Sequence, residues 1–247
     1  MKFNYENKQY LEMLRNIDYK FYSKYITYVK KYLKNKKGNF LDIGCGNGNA
    51  LVPLAKNGYK NTYGVEISRL LSISAQKRGL KNIFLYDGKR LPFDNNCFDV
   101  VGSFGVLEHA ENPTEFLKEH VRTVKRGGYI VVTCPNFLTV FFRLEHPRAD
   151  KLFKRLRNIP KIVKKLFSNE ISFEKVNPII RKKFQADDDV ITISNLIDVE
   201  RFFERNNCRI INSNGFMFRN NKFLRVIGSI PFLRYFWPSC FLVAQKR

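Results

Sequence analysis

The sequence predicts an α/β fold built on a parallel sheet with helices on both faces. Two observations carry this. From residue 39 to residue 134, short apolar runs alternate with amphipathic stretches of helix length, and the connections are short. That is the rhythm of parallel strands joined by crossover helices. In addition, three successive apolar runs each end in a turn bearing glycine or a carboxylate, FLDIGCGNG, GVEIS and YDG. Open α/β sheets bind ligands at such strand ends.

Residues 5–34 come first, with Tyr10, Leu11, Leu14, Ile17, Phe21, Tyr25, Tyr28 and Tyr32 recurring at three- and four-residue steps between lysines. The spacing predicts one amphipathic helix, ended by Gly38. Strands follow at 39–43, 62–66, 82–86, 98–104 and 129–134, the last introduced by Gly127–Gly128. Helices are expected from the glycine loop through Leu54, from Ser68 to about Arg78, and from about Pro113 to Lys125. The rhythm breaks at Pro135. Residues 136–186 form a basic, helix-rich insertion punctuated by Pro147, Pro160 and Pro178. A helix at 195–205 and strands at 209–212 and 241–244 complete the pattern. The chain therefore divides into an N-terminal helical segment (1–37), a core (38–135), the insertion (136–186) and a C-terminal completion of the sheet (187–247).

The chain has 247 residues, 44% of them hydrophobic and 27% charged, the balance of a globular protein with a full core. Its formal charge is +22, and residues 1–37 and 136–183 carry 16 of those charges. The positive field thus bears on partners rather than on the chemical step. Five scattered cysteines without a CxxC pair signal neither a disulfide framework nor a zinc site, and fit a reducing cytoplasm. The polar N-terminus does not read as a secretory signal.

The glycine loop decides among cofactors. Gly44, Gly46 and Gly48 are spaced GxGxG. A dinucleotide fingerprint would want glycine at position 49, where Asn49 stands, and the GK[ST] of a phosphate-binding loop is absent. This spacing suits a cofactor without phosphates, whose carboxylate could meet the N–H groups at the helix start. Glu66, ending the second strand, can accept from both hydroxyls of a ribose, and Asp87–Gly88, ending the third, from an adenine amino group. A surface carboxylate and an ordinary Asp–Gly turn are the bland alternatives.

With these residues in view, positions 38–135 resemble the class I S-adenosylmethionine (SAM)-dependent methyltransferases, in particular the group containing the ubiquinone and menaquinone enzymes. FLDIGCGNG, GVEIS, YDGKRLPFDNNCFDVVGSFGVLEHAENP and RGGYIVVTCPN carry the likeness. The resemblance implies a Rossmann-like, seven-stranded sheet of order 3-2-1-4-5-7-6 and SAM as cofactor. It implies a cofactor site of Asp42, Gly44, Cys45, Gly46, Glu66, Ile67, Asp87, Gly88, Phe104 and Gly105. The C-terminal half, through the DDD to DVERF stretch at 187–202 and PFLRYFWPSCFLVAQKR, also resembles methyltransferases of cell-surface glycan or lipid-linked sugar synthesis.

A hydroxyl acceptor calls for a general base. His109 and His146 are the candidates, with structural and exposed-loop roles as alternatives, and His120 is expected to stand among charged residues in mid-helix, uninvolved. Some quinone-type relatives hold a metal through Glu-x-x-Glu-His. Gly105 occupies the first of those positions here, so no metal is expected.

Residues 149–167 place apolar side chains at helical spacing with Lys and Arg opposite. Such a helix could lie in an anionic membrane surface, pack on the core, or track RNA phosphates. The apolar 223–237 segment, with Arg225 and Arg234, adds to the first reading. The expected activity is methyl transfer to a hydroxyl of a small molecule or glycan, lipid-linked forms included. RNA methylation and SAM binding without catalysis are the alternatives.

Overall fold

A computed structural model describes residues 4–140, 156–179, 181, 185, 188–215, 226–227 and 230–247. The N-terminal segment is two helices rather than the single one expected. Helix α1 (Lys8–Asn16) ends where Ile17 turns extended, at ψ 123°. The Asp18 side chain then accepts from Lys20 N at 2.9 Å and starts a 3₁₀ turn, Tyr19–Tyr22, that runs into α2 (Ser23–Tyr32). The apolar spacing continues across the break, since Leu11 on α1 and Tyr25, Ile26 and Val29 on α2 all point inward.

The core then follows the expected alternation: β1 (Phe40–Ile43), α3 (Leu51–Lys56), β2 (Thr62–Glu66), α4 (Arg69–Lys77), β3 (Ile83–Leu85), β4 (Phe98–Phe104), α5 (Pro113–Thr123) and β5 (Val124–Pro135). Ser68, Asn112 and later Asn195 stand at helix N-caps, each accepting from a backbone N–H of the first turn. Helix α3 begins at Leu51, later than expected, because turns rather than helix fill residues 47–50. The fifth strand begins earlier, at Val124. Gly127, at φ +73°, lies inside it where the pairing with β4 shifts register. The glycine pair is thus an irregularity within a strand rather than a turn before it.

After β5 come α6 (Asn158–Phe167), a two-stranded hairpin of β6 (Glu174–Lys175) and β7 (Thr192–Ile193), α7 (Leu196–Arg205), β8 (Cys208–Asn214) and β9 (Ser239–Lys246). The main sheet has the order β3-β2-β1-β4-β5-β9-β8, with β9 antiparallel to both neighbours. Counted along that sheet alone, this is the expected 3-2-1-4-5-7-6. Two large apolar clusters fill its faces, one around Leu41, Val101 and Phe203, the other around Tyr25, Phe40 and Leu54.

Helix α2 approaches the sheet closely because β4 carries Gly102. A Cβ there would stand 2.2 Å from the Tyr25 hydroxyl. Gly102→Ala is therefore expected to push Tyr25 off the sheet and cost about 1–3 kcal/mol, read as a lower denaturant midpoint at unchanged m-value.

His120 stands in mid-helix beside charged residues, as expected, but its ring turns inward: it is fully buried, with Nε2 3.0 Å from Ser103 Oγ and Nδ1 2.9 Å from Phe116 O. Burial lowers its pKa to about 4.

Candidate functional site

The carboxyl ends of β1, β2, β3 and β4 open into one cavity of about 1730 Å³. Small-molecule sites typically measure roughly 300–1,000 Å³, so the space accommodates two ligands side by side. All ten residues expected around the cofactor line it: Asp42, Gly44, Cys45, Gly46, Glu66, Ile67, Asp87, Gly88, Phe104 and Gly105.

At the first rim the chain turns through Gly44 with φ +72°. A Cβ on Gly44 would lie 2.6 Å from Val106 Cγ2, so the bare backbone is what lets the β1 and β4 loops meet. Beside it, Asn47 is buried, and its amide nitrogen has no hydrogen-bond partner among the described residues. A buried donor without a partner is costly, and the carboxylate of an amino-acid ligand would satisfy it.

Glu66 is buried and does more than face a ligand. Its Oε2 accepts from Gly46 N at 2.9 Å, and its Oε1 accepts from Ile67 N at 2.9 Å and Ser68 N at 3.0 Å. One carboxylate thus ties the glycine loop to the start of α4. Burial raises its pKa, opposed by these three N–H groups. Asp42 is equally buried, accepts from the Tyr25 hydroxyl at 2.8 Å, and is pushed up to about 7, chiefly by burial. Two buried acids facing one cavity favour a cationic ligand, and the residues fit SAM, whose sulfonium and ammonium are positive. Asp87 is different. It is fully exposed, and its Oδ1 accepts from Lys89 N and Arg90 N, which lowers its pKa. Its carboxylate closes its own turn, a use that spacing alone left open.

The buried acid and the buried imidazole act on stability in opposite directions. Asp42, raised from 3.8 to about 7, removes stability as pH rises through that window. His120, lowered from 6.5 to about 4, removes stability as pH falls through its own. The two slopes oppose between about pH 4 and pH 6.5. Asp42→Asn is expected to remove the opposing slope and leave that of His120, so that this variant loses more stability than the parent on acidification through this window. Urea titrations at a series of pH values read this directly.

His109 sits in the 3₁₀ turn Leu107–His109 after β4 and lines the same cavity. Its Nδ1 lies 3.2 Å from Asp189 O and 3.3 Å from Asp189 Oδ2, and that carboxylate is buried. The Tyr5 ring meets the imidazole edge-on at 6.4 Å. His146, the other candidate base, lies outside the described residues. Among the described residues no cluster of three potential ligands could hold a metal ion.

Sequence reasoning missed one wall altogether. Tyr5, Tyr10, Leu14, Ile17, Phe21 and Tyr22 from the N-terminal segment line the cavity. That segment is pinned across the rim. Glu6 Oε1 and Oε2 accept from Arg69 N and Leu70 N at the start of α4, and Tyr5 O accepts from Ser68 Oγ. Leu14 O accepts from Asn49 Nδ2 at 2.8 Å. Phe104 stacks among Phe21, Tyr22 and Tyr25, with centroids 4.7–5.4 Å away. The signal was present as an unusual density of tyrosines before residue 33, but periodicity assigns a face, not the thing it faces. The insertion adds a further edge through Lys175, Val176, Asn177 and Pro178.

Comparisons with known proteins agree with this arrangement. Residues 41–132 match the methyltransferase-domain family. An uncharacterised protein of Methanocaldococcus jannaschii is 36% identical over 111 residues, covering 45% of this chain and 50% of that one. A ubiquinone biosynthesis O-methyltransferase of Maricaulis maris is 34% identical over 110 residues, 42% of this chain and 43% of the relative. The chain thus spans about half the length of these relatives or less. The crystal structure of a SAM-dependent methyltransferase from Aquifex aeolicus superposes with a TM-score of 0.55 at 15% identity, covering 96% of this chain and 97% of that one, which shows the fold. From the matched segment and the order of the sheet that carries it, residues 41–132 form a methyltransferase domain with the class I fold, and SAM is the cofactor that this domain implies.

Proposed function

We propose that the protein transfers the methyl group of SAM to a hydroxyl of a small molecule or glycan, lipid-linked forms included. The observation that carries this reading is His109, held at Nδ1 by the main-chain carbonyl of buried Asp189, with that residue's carboxylate 3.3 Å away, in the same cavity as the glycine loop. When bound, SAM supplies an activated methyl on its sulfonium. The chain's own residues have the remaining tasks: to hold both ligands in line, to exclude water and to take one proton. The tautomer in which Nδ1–H donates to Asp189 leaves Nε2 as the basic nitrogen, so Nε2 takes the acceptor's hydroxyl proton and Asp189 orients the ring. Tyr5, Tyr10 and Phe21 cover the rim and keep water from the reacting pair.

The cavity's own charge supports a neutral or cationic acceptor. In a chain of net charge +22, its lining includes eight acidic side chains and four basic ones. Glu108 and Asp189 lie within 4 Å of the His109 ring and Glu111 and Glu115 line the same cavity, a poor setting for a phosphodiester.

The test is to incubate the purified protein and methyl-labelled SAM with fractionated cell extract. Label in the small-molecule or glycan fraction, with formation of S-adenosylhomocysteine, is the expected result. Label confined to RNA would replace the acceptor with RNA, and SAM binding without turnover by any fraction would leave a cofactor-binding regulator.

A further inference from the structure

Helix α6 has more apolar surface than its packing uses. Its inner face is narrow. Ile162 is fully buried against Leu138, Val140, Ile197 and Phe236, with Leu166 at its edge. Lys165 Nζ reaches inward to Asp198 Oδ2 at 2.6 Å, and Arg201 donates to Leu166 O. These contacts anchor the helix to the domain.

A second apolar row faces the other way. Leu156, Val163 and Phe167 are exposed to 40%, 39% and 88%, with Pro160 exposed between them. At 100° per residue, positions 160, 163 and 167 fall on one side of the helix, and Leu156 lies just before its start. Arg157, Lys161 and Lys164, all exposed, run along one flank of that row. Among the described residues their acidic neighbour is Glu174, 3.7 Å from Lys161 and itself exposed.

A second exposed apolar group belongs to the neighbouring segment. Val226, Ile230, Phe232 and Leu233 are exposed, and Tyr235 and Phe236 just beyond them pack on the same small core as Ile162. Phe232 has φ +70° and is 51% exposed. A bulky side chain in that backbone region is strained, and one side of the Phe232 ring rests on Phe236 at 5.3 Å while about half of the residue faces solvent.

We propose that the outer face of α6, with the Phe232 segment beside it, docks onto an anionic lipid surface. Apolar side chains standing clear of the fold with a basic row along their edge are what an interfacial helix needs: the first enter the acyl boundary, the second meet anionic headgroups. Charge complementarity selects the occupant, since Arg157, Lys161 and Lys164 stand exposed along the apolar row. RNA would use the basic row and has no use for Phe167 or Val163. This surface is separate from the cavity chemistry, so its failure and that of the methyl-transfer reading are distinguishable.

Co-sedimentation of the full chain with vesicles tests it. The protein is expected to bind vesicles of equal parts phosphatidylglycerol and phosphatidylcholine, and to ignore phosphatidylcholine alone. The double variant Val163→Ser/Phe167→Ser should lower partitioning roughly tenfold or more. Arg157→Glu with Lys164→Glu should lower it at least as much, from about fivefold for each basic charge lost. Because these side chains point outward, thermal unfolding and SAM affinity of both variants should match the parent. Vesicle binding unchanged by the Val163/Phe167 variant would overturn the proposal. So would a parent protein that ignores anionic vesicles, and one that also retains mixed-sequence RNA in the same buffer would assign the charge to RNA instead.

Discussion

His109→Ala is expected to lower turnover by about 10²–10⁴-fold, the range that a positioned general base contributes, while SAM affinity stays at the parent value. The separation follows from the geometry. His109 reaches the cavity from the turn after β4, whereas the loop and carboxylates placed to hold the cofactor follow β1 and β2. Asp189→Asn should act through the same ring without touching the acceptor. The amide leaves the main-chain hydrogen bond to Nδ1 in place but removes the negative charge 3.3 Å from it, so the imidazolium formed on proton transfer loses its counter-charge and kcat should fall roughly tenfold or more with little change in KM. Single-turnover assays with labelled SAM, alongside calorimetry, separate these effects. Turnover kept at the parent level in His109→Ala would remove the imidazole from the chemistry. Loss of SAM affinity in Asp189→Asn would make that residue a structural support only.

Glu66→Ala is expected to weaken SAM binding by about 1–3 kcal/mol, a loss of roughly fivefold to 150-fold in affinity. Part of that loss comes from the protein itself. The carboxylate holds Gly46, Ile67 and Ser68 N–H groups, so its removal loosens both the glycine loop and the first turn of α4. Glu66→Gln distinguishes the contributions. The amide keeps one acceptor oxygen for the backbone but loses the charge, and should retain most of the stability while losing much of the affinity. An unchanged dissociation constant in both variants would show that this carboxylate has no part in cofactor binding.

The sequence by itself determined the sheet and the crevice at the ends of its strands. Alternation of apolar runs with helix-length stretches, and turns such as Gly44–Cys45–Gly46 and Asp87–Gly88, are local features that can be read without a partner. The five parallel strands and the crevice at their ends follow from them. Boundaries were less legible. Ile17 sits in the same apolar period on either side of a chain reversal, and Gly127–Gly128 reads as a turn although the strand passes through it.

Tertiary structure alone decided what each group faces. Spacing could not show that tyrosines from the first 22 residues close over a crevice formed by residues 42–112, nor that Asp189, 80 residues away in sequence, holds His109. Nor could it show that His120 is buried, or that α6 turns one apolar row inward and another to solvent. Periodicity fixes which side chains share a face. What that face meets depends on contacts between distant segments, and those exist only once the chain has closed on itself.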